Sequence, residues 1–111
     1  MVQYSPKLDS TFGALADPTR RGILERLGRS EAGITELAEA FDITLTGIKK
    51  HVGVLEAAGL VTTEKIGRVR RCRLGPRQLD DETAWIAEYR RMLDGRFNRL
   101  GDFLERPREN Q

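Results

Sequence analysis

The sequence predicts a mainly α-helical fold with one small β-hairpin. Through most of the chain apolar residues recur at the spacing of an amphipathic helix with one buried face. Between residues 60 and 74 the pattern changes to alternation on both sides of Gly67-Arg68, as in a hairpin with a short turn. A chain of 111 residues has the length of one domain. We assign residues 1–107 to it and expect a disordered tail at 108–111.

Capping residues place the first three helices. A short first helix ends near Asp17, which caps a second helix that starts at Pro18 and stops at Gly28. The apolar face of the second helix consists of Ile23, Leu24 and Leu27. Thr35 is the expected cap of a third helix, which extends to about Phe41.

A fourth helix follows the short connection Asp42-Ile43-Thr44 and runs from about Leu45 to Ala58. Its expected buried face consists of Ile48, Val52, Leu55 and either Ala58 or Ala57. Gly47 and Gly53 lie inside this helix, where each glycine costs about 1 kcal/mol relative to alanine. We therefore expect each glycine to lie where a neighbouring helix packs tightly or where a ligand approaches closely.

The last and longest predicted helix runs from about residue 79 to residue 104. Acidic residues near its start, Asp80, Asp81 and Glu82, suit the helix dipole. Apolar residues recur along one face of this helix. A small isolated domain could bury little of that face, whereas an antiparallel pair of such helices would bury it. The expected dimer interface comprises Ile86, Tyr89, Leu93, Phe97, Leu100 and Leu104.

Positive charge is concentrated in the hairpin. The whole chain has a net charge of +2, but residues 60–77 alone carry +5, which leaves −3 for the remainder. Guanidinium groups bind phosphate bidentately, and like charges at this density repel each other unless an anion is near. We expect Arg68, Arg70 and Arg71 to contact phosphate groups, with a solvated strand as the alternative.

The third and fourth helices form a helix-turn-helix candidate, in which the fourth would enter the major groove of DNA. Its first turns carry hydroxyl, amine and imidazole groups, which can bind bases or phosphates. The expected DNA-recognition residues are Thr44, Thr46, Lys49, Lys50 and His51. The alternatives are a solvated face on an ordinary core helix and, for His51, a hydrogen bond within the motif.

The residue inventory excludes several classes of protein. No apolar run approaches the ~18 residues of a membrane span, and the first ten residues lack the layout of a signal peptide. The single cysteine, Cys72, cannot form a disulfide within the chain, so we expect a reducing, cytoplasmic location. Cys72 and His51 are the only residues of their kinds, and neither a glycine-rich phosphate loop nor a nucleophile elbow is present. We therefore expect no enzyme activity, no cofactor and no metal site.

Three stretches of the chain resemble the ArsR-type winged helix-turn-helix repressors. They are Leu15-Ala16-Asp17-Pro18-Thr19-Arg20-Arg21, Lys50-His51-Val52-Gly53-Val54-Leu55-Glu56-Ala57-Ala58-Gly59-Leu60-Val61 and Gly67-Arg68-Val69-Arg70. The resemblance implies a winged helix-turn-helix homodimer, joined through its N- and C-terminal helices, that represses transcription at an inverted repeat in double-stranded DNA. By position it places Arg20 and Arg21 at the start of the second helix, where we expect phosphate contacts. A surface or intrahelical ion pair is the alternative for both.

The resemblance is to a metal-free branch of the family. Metal-sensing members have a cysteine pair in the segment that matches Ile34–Phe41, which here has no thiol, and the last helix has no histidine. Binding of an unidentified small effector between the subunits is an alternative role for the aromatic residues of the last helix, beside core packing. A redox role for Cys72, whose thiolate Arg71 and Arg73 would favour, also stays open, although a small buried hydrophobe is the plainer interpretation. The alternative function is a winged-helix module that binds an acidic protein.

Overall fold

The computed structural model describes residues 5–105, and the side chains of residues 97–100 and 102–105 lie outside this description. The chain divides into two units, Met1–Gln78 and Leu79–Gln111. The described helices of the first unit are α1 Pro6–Leu15, α2 Pro18–Leu27, α3 Ile34–Ala40 and α4 Leu45–Ala57. Its described strands are β1 Ala32–Gly33, β2 Val61–Ile66 and β3 Val69–Leu74.

Local capping determines where α2 and α4 begin. Asp17 is the N-cap of α2, with Pro18 in the first helical turn, and this confirms the start predicted from the sequence. Thr44 is the N-cap of α4, and its hydroxyl oxygen accepts a hydrogen bond from the Gly47 N–H at 3.1 Å. Both starts depend on neighbours within three residues, which is why the sequence alone indicates them.

The predicted cap of α3 was wrong. Its N-cap is Gly33, and Thr35 lies exposed within the helix. The Gly33 N–H donates to Glu36 Oε1 at 2.9 Å, so the Glu36 carboxylate satisfies the backbone N–H of the N-cap residue, and no capping side chain precedes the helix. The physical reason is that Gly33 is also the end of β1, from which the chain turns directly into the helix.

The predicted hairpin is present and belongs to a three-stranded antiparallel sheet in the order β1-β3-β2. In the added pairing Ala32 lies opposite Cys72, and Gly33 lies opposite Arg71. The turn of the hairpin contains Gly67 with φ of +64°, a left-handed conformation that favours glycine. The strand β1 has only two residues, too few to show an alternating pattern in the sequence.

The core of the first unit is formed by residues from the helices and the sheet together. Its largest fully buried side chains are Ile23, Leu37, Ile48, Leu55, Thr11 and Cys72. The face predicted for α4 is confirmed, since Ile48, Val52 and Leu55 are buried. The burial of Cys72 confirms that it serves as a small core residue.

Arg77 connects the end of the first unit to its helices. Its Nη1 donates to Thr11 Oγ1 at 2.6 Å and to the Ala58 carbonyl at 2.9 Å. Gly59, with φ of +78°, follows α4, and a Cβ added there would lie 2.8 Å from Arg77 Cδ. The Arg77 guanidinium therefore forms hydrogen bonds within the fold, although its charge is part of the +5 of residues 60–77.

The second unit contains α5, which spans Asp80–Glu105 and has the predicted acidic first turn. Several large apolar side chains on this helix are between 37% and 57% exposed: Trp85, Ile86, Tyr89, Met92 and Leu93. The Trp85 and Tyr89 rings stack with centroids 5.6 Å apart. The predicted interface residues Phe97, Leu100 and Leu104 lie outside the described side chains. Neither α5 nor any other helix within residues 5–105 is long and apolar enough to span a membrane.

Candidate nucleic-acid interface

The first two turns of α4 present polar and basic side chains to solvent. Thr44, the N-cap, and Thr46, Lys49 and Lys50 in the first two turns are all exposed. The N-terminus of a helix carries a partial positive charge, which adds to the charges of the two lysines. This end of α4 is therefore a surface suited to a polyanion.

His51 is in a different environment from the two lysines before it. Its ring is half-buried, with Nδ1 3.3 Å from Arg20 Nη1 and 3.9 Å from Asp17 Oδ2. Arg20 also donates to the carbonyls of Ala14 at 2.8 Å and Gly13 at 3.1 Å. We call these three side chains the Asp17–Arg20–His51 cluster. It joins the end of α1 and the start of α2 to the middle of α4.

Asp17 is the acidic member of this cluster. The backbone N–H of Arg20 donates to Asp17 Oδ2 at 3.0 Å, and this hydrogen bond, helped by the nearby His51 and Arg20 charges, lowers the pKa of Asp17 below its ordinary value of 3.8. Because the pKa is lowered, the stabilisation from the ionised carboxylate is complete above the ordinary value. It is lost as the pH falls through the folded-state pKa.

Arg21 also binds the end of α1, because its Nη1 donates to the Leu15 carbonyl at 2.7 Å. Arg20 and Arg21 thus both donate to carbonyl oxygens of the last turn of α1, where the intrahelical hydrogen bonds run out. The sequence suggested phosphate contacts or ion pairs for these residues. Their structural role was missed because their acceptors are backbone atoms, which a sequence does not distinguish.

Two arginines of the wing, which we define as residues 61–74, are paired with carboxylates. Arg73 Nη1 lies 3.2 Å from Glu64 Oε2 on the neighbouring strand. Arg71 is half-buried, and its Nη1 lies 3.7 Å from Glu36 Oε1 at the start of α3. Pairs of this kind are individually weak. They nevertheless leave less uncompensated charge on the wing than the sequence suggests.

The uncompensated charge of the wing lies near its tip. Arg68 and Lys65 make no hydrogen bond or ion pair with any residue that the structure describes. Lys65, which the sequence did not single out, lies directly opposite Arg70, and like charges in such a pair repel unless an anion is near. Arg70 Nη1 donates to Thr63 Oγ1 at 2.9 Å, and the Thr63 hydroxyl donates to Glu56 Oε2 on α4 at 2.7 Å. These contacts attach the wing to α4.

Cys72 lies on β3 with its side chain inside the fold. Burial raises the pKa of the Cys72 thiol, and the charge of Glu56 raises it further. The opposing effects of Arg70 and Arg71 are smaller. The sulfur therefore stays protonated, whereas a redox sensor needs an accessible thiolate.

The carboxylates of Glu36 and Asp17 near this surface already have partners within the fold. Glu36 lies between Arg71 and Arg26, whose Nη2 is 3.9 Å from Glu36 Oε2. Asp17 Oδ2 accepts a hydrogen bond from the backbone N–H of Arg20 and lies 3.9 Å from His51 Nδ1. Within residues 5–105, no group of three or more histidine, cysteine or acidic side chains is arranged to hold a metal ion.

The two glycines inside α4 have different surroundings, and we predict opposite effects of replacing them. A Cβ at Gly47 would lie 2.7 Å from Ile43 Cγ2, whereas a Cβ at Gly53 would meet no atom within 4 Å. Gly53→Ala should raise the free energy of unfolding by about 0.5–1 kcal/mol, because alanine favours the helix. Gly47→Ala should lower it by about 1 kcal/mol, because overpacking outweighs the same gain. Urea unfolding measures both changes, and a destabilised Gly53→Ala variant would contradict the open surroundings.

Known proteins are similar to this chain over the part that contains the helix-turn-helix. A family model described as a helix-turn-helix domain matches residues 15–64. The transcriptional repressor SdpR of Bacillus subtilis (strain 168) is 28% identical over 82 residues, which cover 74% of this chain and 91% of SdpR. The uncharacterized HTH-type transcriptional regulator YuzN of the same organism is 44% identical over 69 residues, which cover 56% of this chain and 75% of YuzN.

Two solved structures extend the similarity to most of the chain. The crystal structure of an ArsR family transcriptional regulator has 42% sequence identity and a TM-score of 0.75, covering 85% of this chain and 97% of that one. The ArsR-like transcriptional regulator from Rhodococcus sp. RHA1 has 32% sequence identity and a TM-score of 0.75. The match covers 89% of this chain and 91% of that regulator. The similarity therefore concerns the winged helix-turn-helix fold as a whole.

Proposed function

The chain belongs to the ArsR family of DNA-binding transcriptional regulators, and from this premise we propose that it acts in the cytoplasm as a homodimeric repressor of an inverted-repeat operator. One observation above all supports the proposal. The basic N-terminal turns of α4 and the wing belong to one unit, in which the Glu56, Thr63 and Arg70 side chains connect the last turn of α4 to the wing. In this proposal a single duplex contacts both surfaces.

In this proposal α4 lies in the major groove. Its first turns reach the base edges through Thr46 and Lys49, while Thr44 and Lys50 bind the backbone or neighbouring bases. The exposure of all four side chains supports these roles. His51, which is half-buried beside Arg20, holds α4 in place instead.

The wing contacts the phosphate backbone. Arg68 and Lys65 supply charges that no described carboxylate neutralises, and Arg70 lies beside them. Arg71 contributes less in this proposal, because a phosphate group must compete with Glu36 for it. Each phosphate contact releases condensed counterions, so affinity should fall steeply as salt is added.

The dimer is supported by the exposed apolar residues of α5. Burying such side chains is worth about 25 cal/mol per Å² of apolar surface, and a second copy of the chain offers an identical face. In the proposed dimer α5 pairs with its counterpart and α1 adds to the interface. Two recognition helices then lie about one turn of DNA apart, which matches an inverted repeat.

Replacing the wing arginines tests the DNA interface. Duplexes selected by the wild type from a randomised pool serve as probes, and binding is measured over a range of salt concentrations. Arg68→Ala combined with Arg70→Ala should lower affinity on every duplex roughly tenfold or more and reduce the salt slope by about 2. Arg73→Ala is the matched control, because Glu64 already neutralises Arg73, and its slope should change little.

Two outcomes would contradict the proposal. One is a folded protein that binds no duplex even at low salt. The other is binding whose sequence preference is unchanged by Thr46→Ala and Lys49→Ala, since these residues are assigned to base edges. An acidic protein partner would also give salt-dependent binding to the wing. It would not give a preference among DNA sequences, so this measurement separates the two functions.

A further inference from the structure

The proposed recognition surface of α4 includes an apolar residue whose side chain is partly exposed to solvent. Leu45, the first residue of α4, is 43% exposed. Its position places it between Thr44 and Thr46, whose side chains are also exposed. Single exposed leucines are common on protein surfaces and need no explanation by themselves. Leu45, however, lies on the surface proposed to read DNA, where an apolar side chain can contact a base.

Leu45 is not needed to close the N-terminus of α4. That packing role belongs to Ile43, which is half-buried and whose Cγ2 lies 2.7 Å from the position that a Cβ on Gly47 would occupy. An apolar residue just before the N-cap commonly packs on the first turns of a helix in this way. The Leu45 side chain is thus available to a partner outside the chain.

Charge and helix geometry indicate the partner. Residues four apart lie on the same face of a helix, so Leu45 is one turn from Lys49, an exposed cation at the positive end of α4. A polyanion is the ligand that such surroundings attract. Within the major groove of DNA, the apolar group that a leucine can contact is the 5-methyl group of thymine.

We propose that Leu45 determines specificity by contacting the 5-methyl group of one thymine in each half-site. The inference rests on the proposed placement of α4 in the major groove and specifies one base that this helix reads. It requires no new fold and no rearrangement, because the side chain is already at the surface.

Removing only the methyl group tests the contact. Deoxyuridine differs from thymidine by this methyl group and keeps the same hydrogen bonds. Duplexes of about 30 base pairs, enough for two half-sites, are selected from a random pool by the wild-type protein and then synthesised with each thymine in turn replaced by deoxyuridine. At one thymine in each half-site, the replacement should weaken binding by the wild type about three- to fivefold.

Leu45→Ala should bind thymine and deoxyuridine duplexes about equally at that position. Val54→Ala is the matched control, because Val54 is 40% exposed on the same helix but on its opposite side. This variant should retain the full methyl effect, and circular dichroism shows that all the proteins are folded.

The inference is overturned if no thymine shows a methyl effect, or if Leu45→Ala retains it undiminished. In either case the wild type still binds its selected duplexes in a salt-dependent manner, so the proposed interface survives. If the wild type selects no duplex from the pool, the proposed interface fails and this inference fails with it. The two failures are therefore distinguishable.

Discussion

Leu93→Asp should convert the protein to a monomer and reduce its affinity for an inverted-repeat duplex by roughly 100-fold or more, since bivalent binding is lost. Leu93 is 37% exposed and shares its side of α5 with Ile86 and Tyr89. An aspartate there would place a charge in the proposed apolar interface, where it cannot be paired. Sedimentation velocity measures the oligomeric state, and fluorescence anisotropy with selected duplexes measures the affinity.

Arg91→Asp is the matched control, because it introduces the same residue on the other side of α5. Arg91 is exposed and contacts Glu88, and losing such a surface pair costs only a few tenths of a kcal/mol. The Arg91→Asp protein should therefore remain a dimer and bind DNA. A wild-type chain that sediments as a monomer at micromolar concentration would contradict the proposed dimer directly.

Arg20→Ala should lower the free energy of unfolding by about 2–3 kcal/mol, because several charge-assisted hydrogen bonds are lost together. The guanidinium of Arg20 contacts the carbonyls of Gly13 and Ala14 and the ring of His51. Removing it takes the guanidinium donor away from the part-buried Ala14 carbonyl. Urea unfolding, followed by circular dichroism, measures the change.

Arg21→Ala is the comparison, because Arg21 makes one exposed hydrogen bond to the Leu15 carbonyl. It should cost about 0.5–1 kcal/mol. If Arg20 instead contacts phosphate, Arg20→Ala would leave stability unchanged and would flatten the salt dependence of DNA binding. That result would favour the role first expected from the sequence over the one supported by the hydrogen bonds.

The elements of this fold follow closely from local signals. The starts of α2 and α4 depend on Asp17 and Thr44, each of which caps an N–H three residues later. The burial of Ile48, Val52 and Leu55 follows from their helical spacing. The strand β1 escaped prediction because it depends on pairing with β3, a segment distant in the chain, and the N-cap of α3 was missed because Gly33 has no capping side chain.

The candidate site was predictable in type but not in detail. Runs of arginine in the wing and lysines at the start of α4 identify basic surfaces from the sequence alone. Which cations are already neutralised depends on partners from other elements, such as Glu36 for Arg71. Lys65 was missed because the sequence does not show that it lacks a carboxylate partner among the described residues. Leu45 was missed because the sequence does not show that its side chain lies outside the core.

For this protein the sequence by itself was sufficient for the order of the five helices and the hairpin, the buried face of α4 and the family resemblance. Those features arise from interactions within a few residues or from motifs that can be read directly. The folded chain was required to show that Arg20 serves the scaffold, that Arg77 reaches Thr11 across 66 residues, and that Cys72 is a protonated core thiol. The physical reason is that charge, burial and hydrogen bonding depend on neighbours in space, and only folding brings those neighbours together.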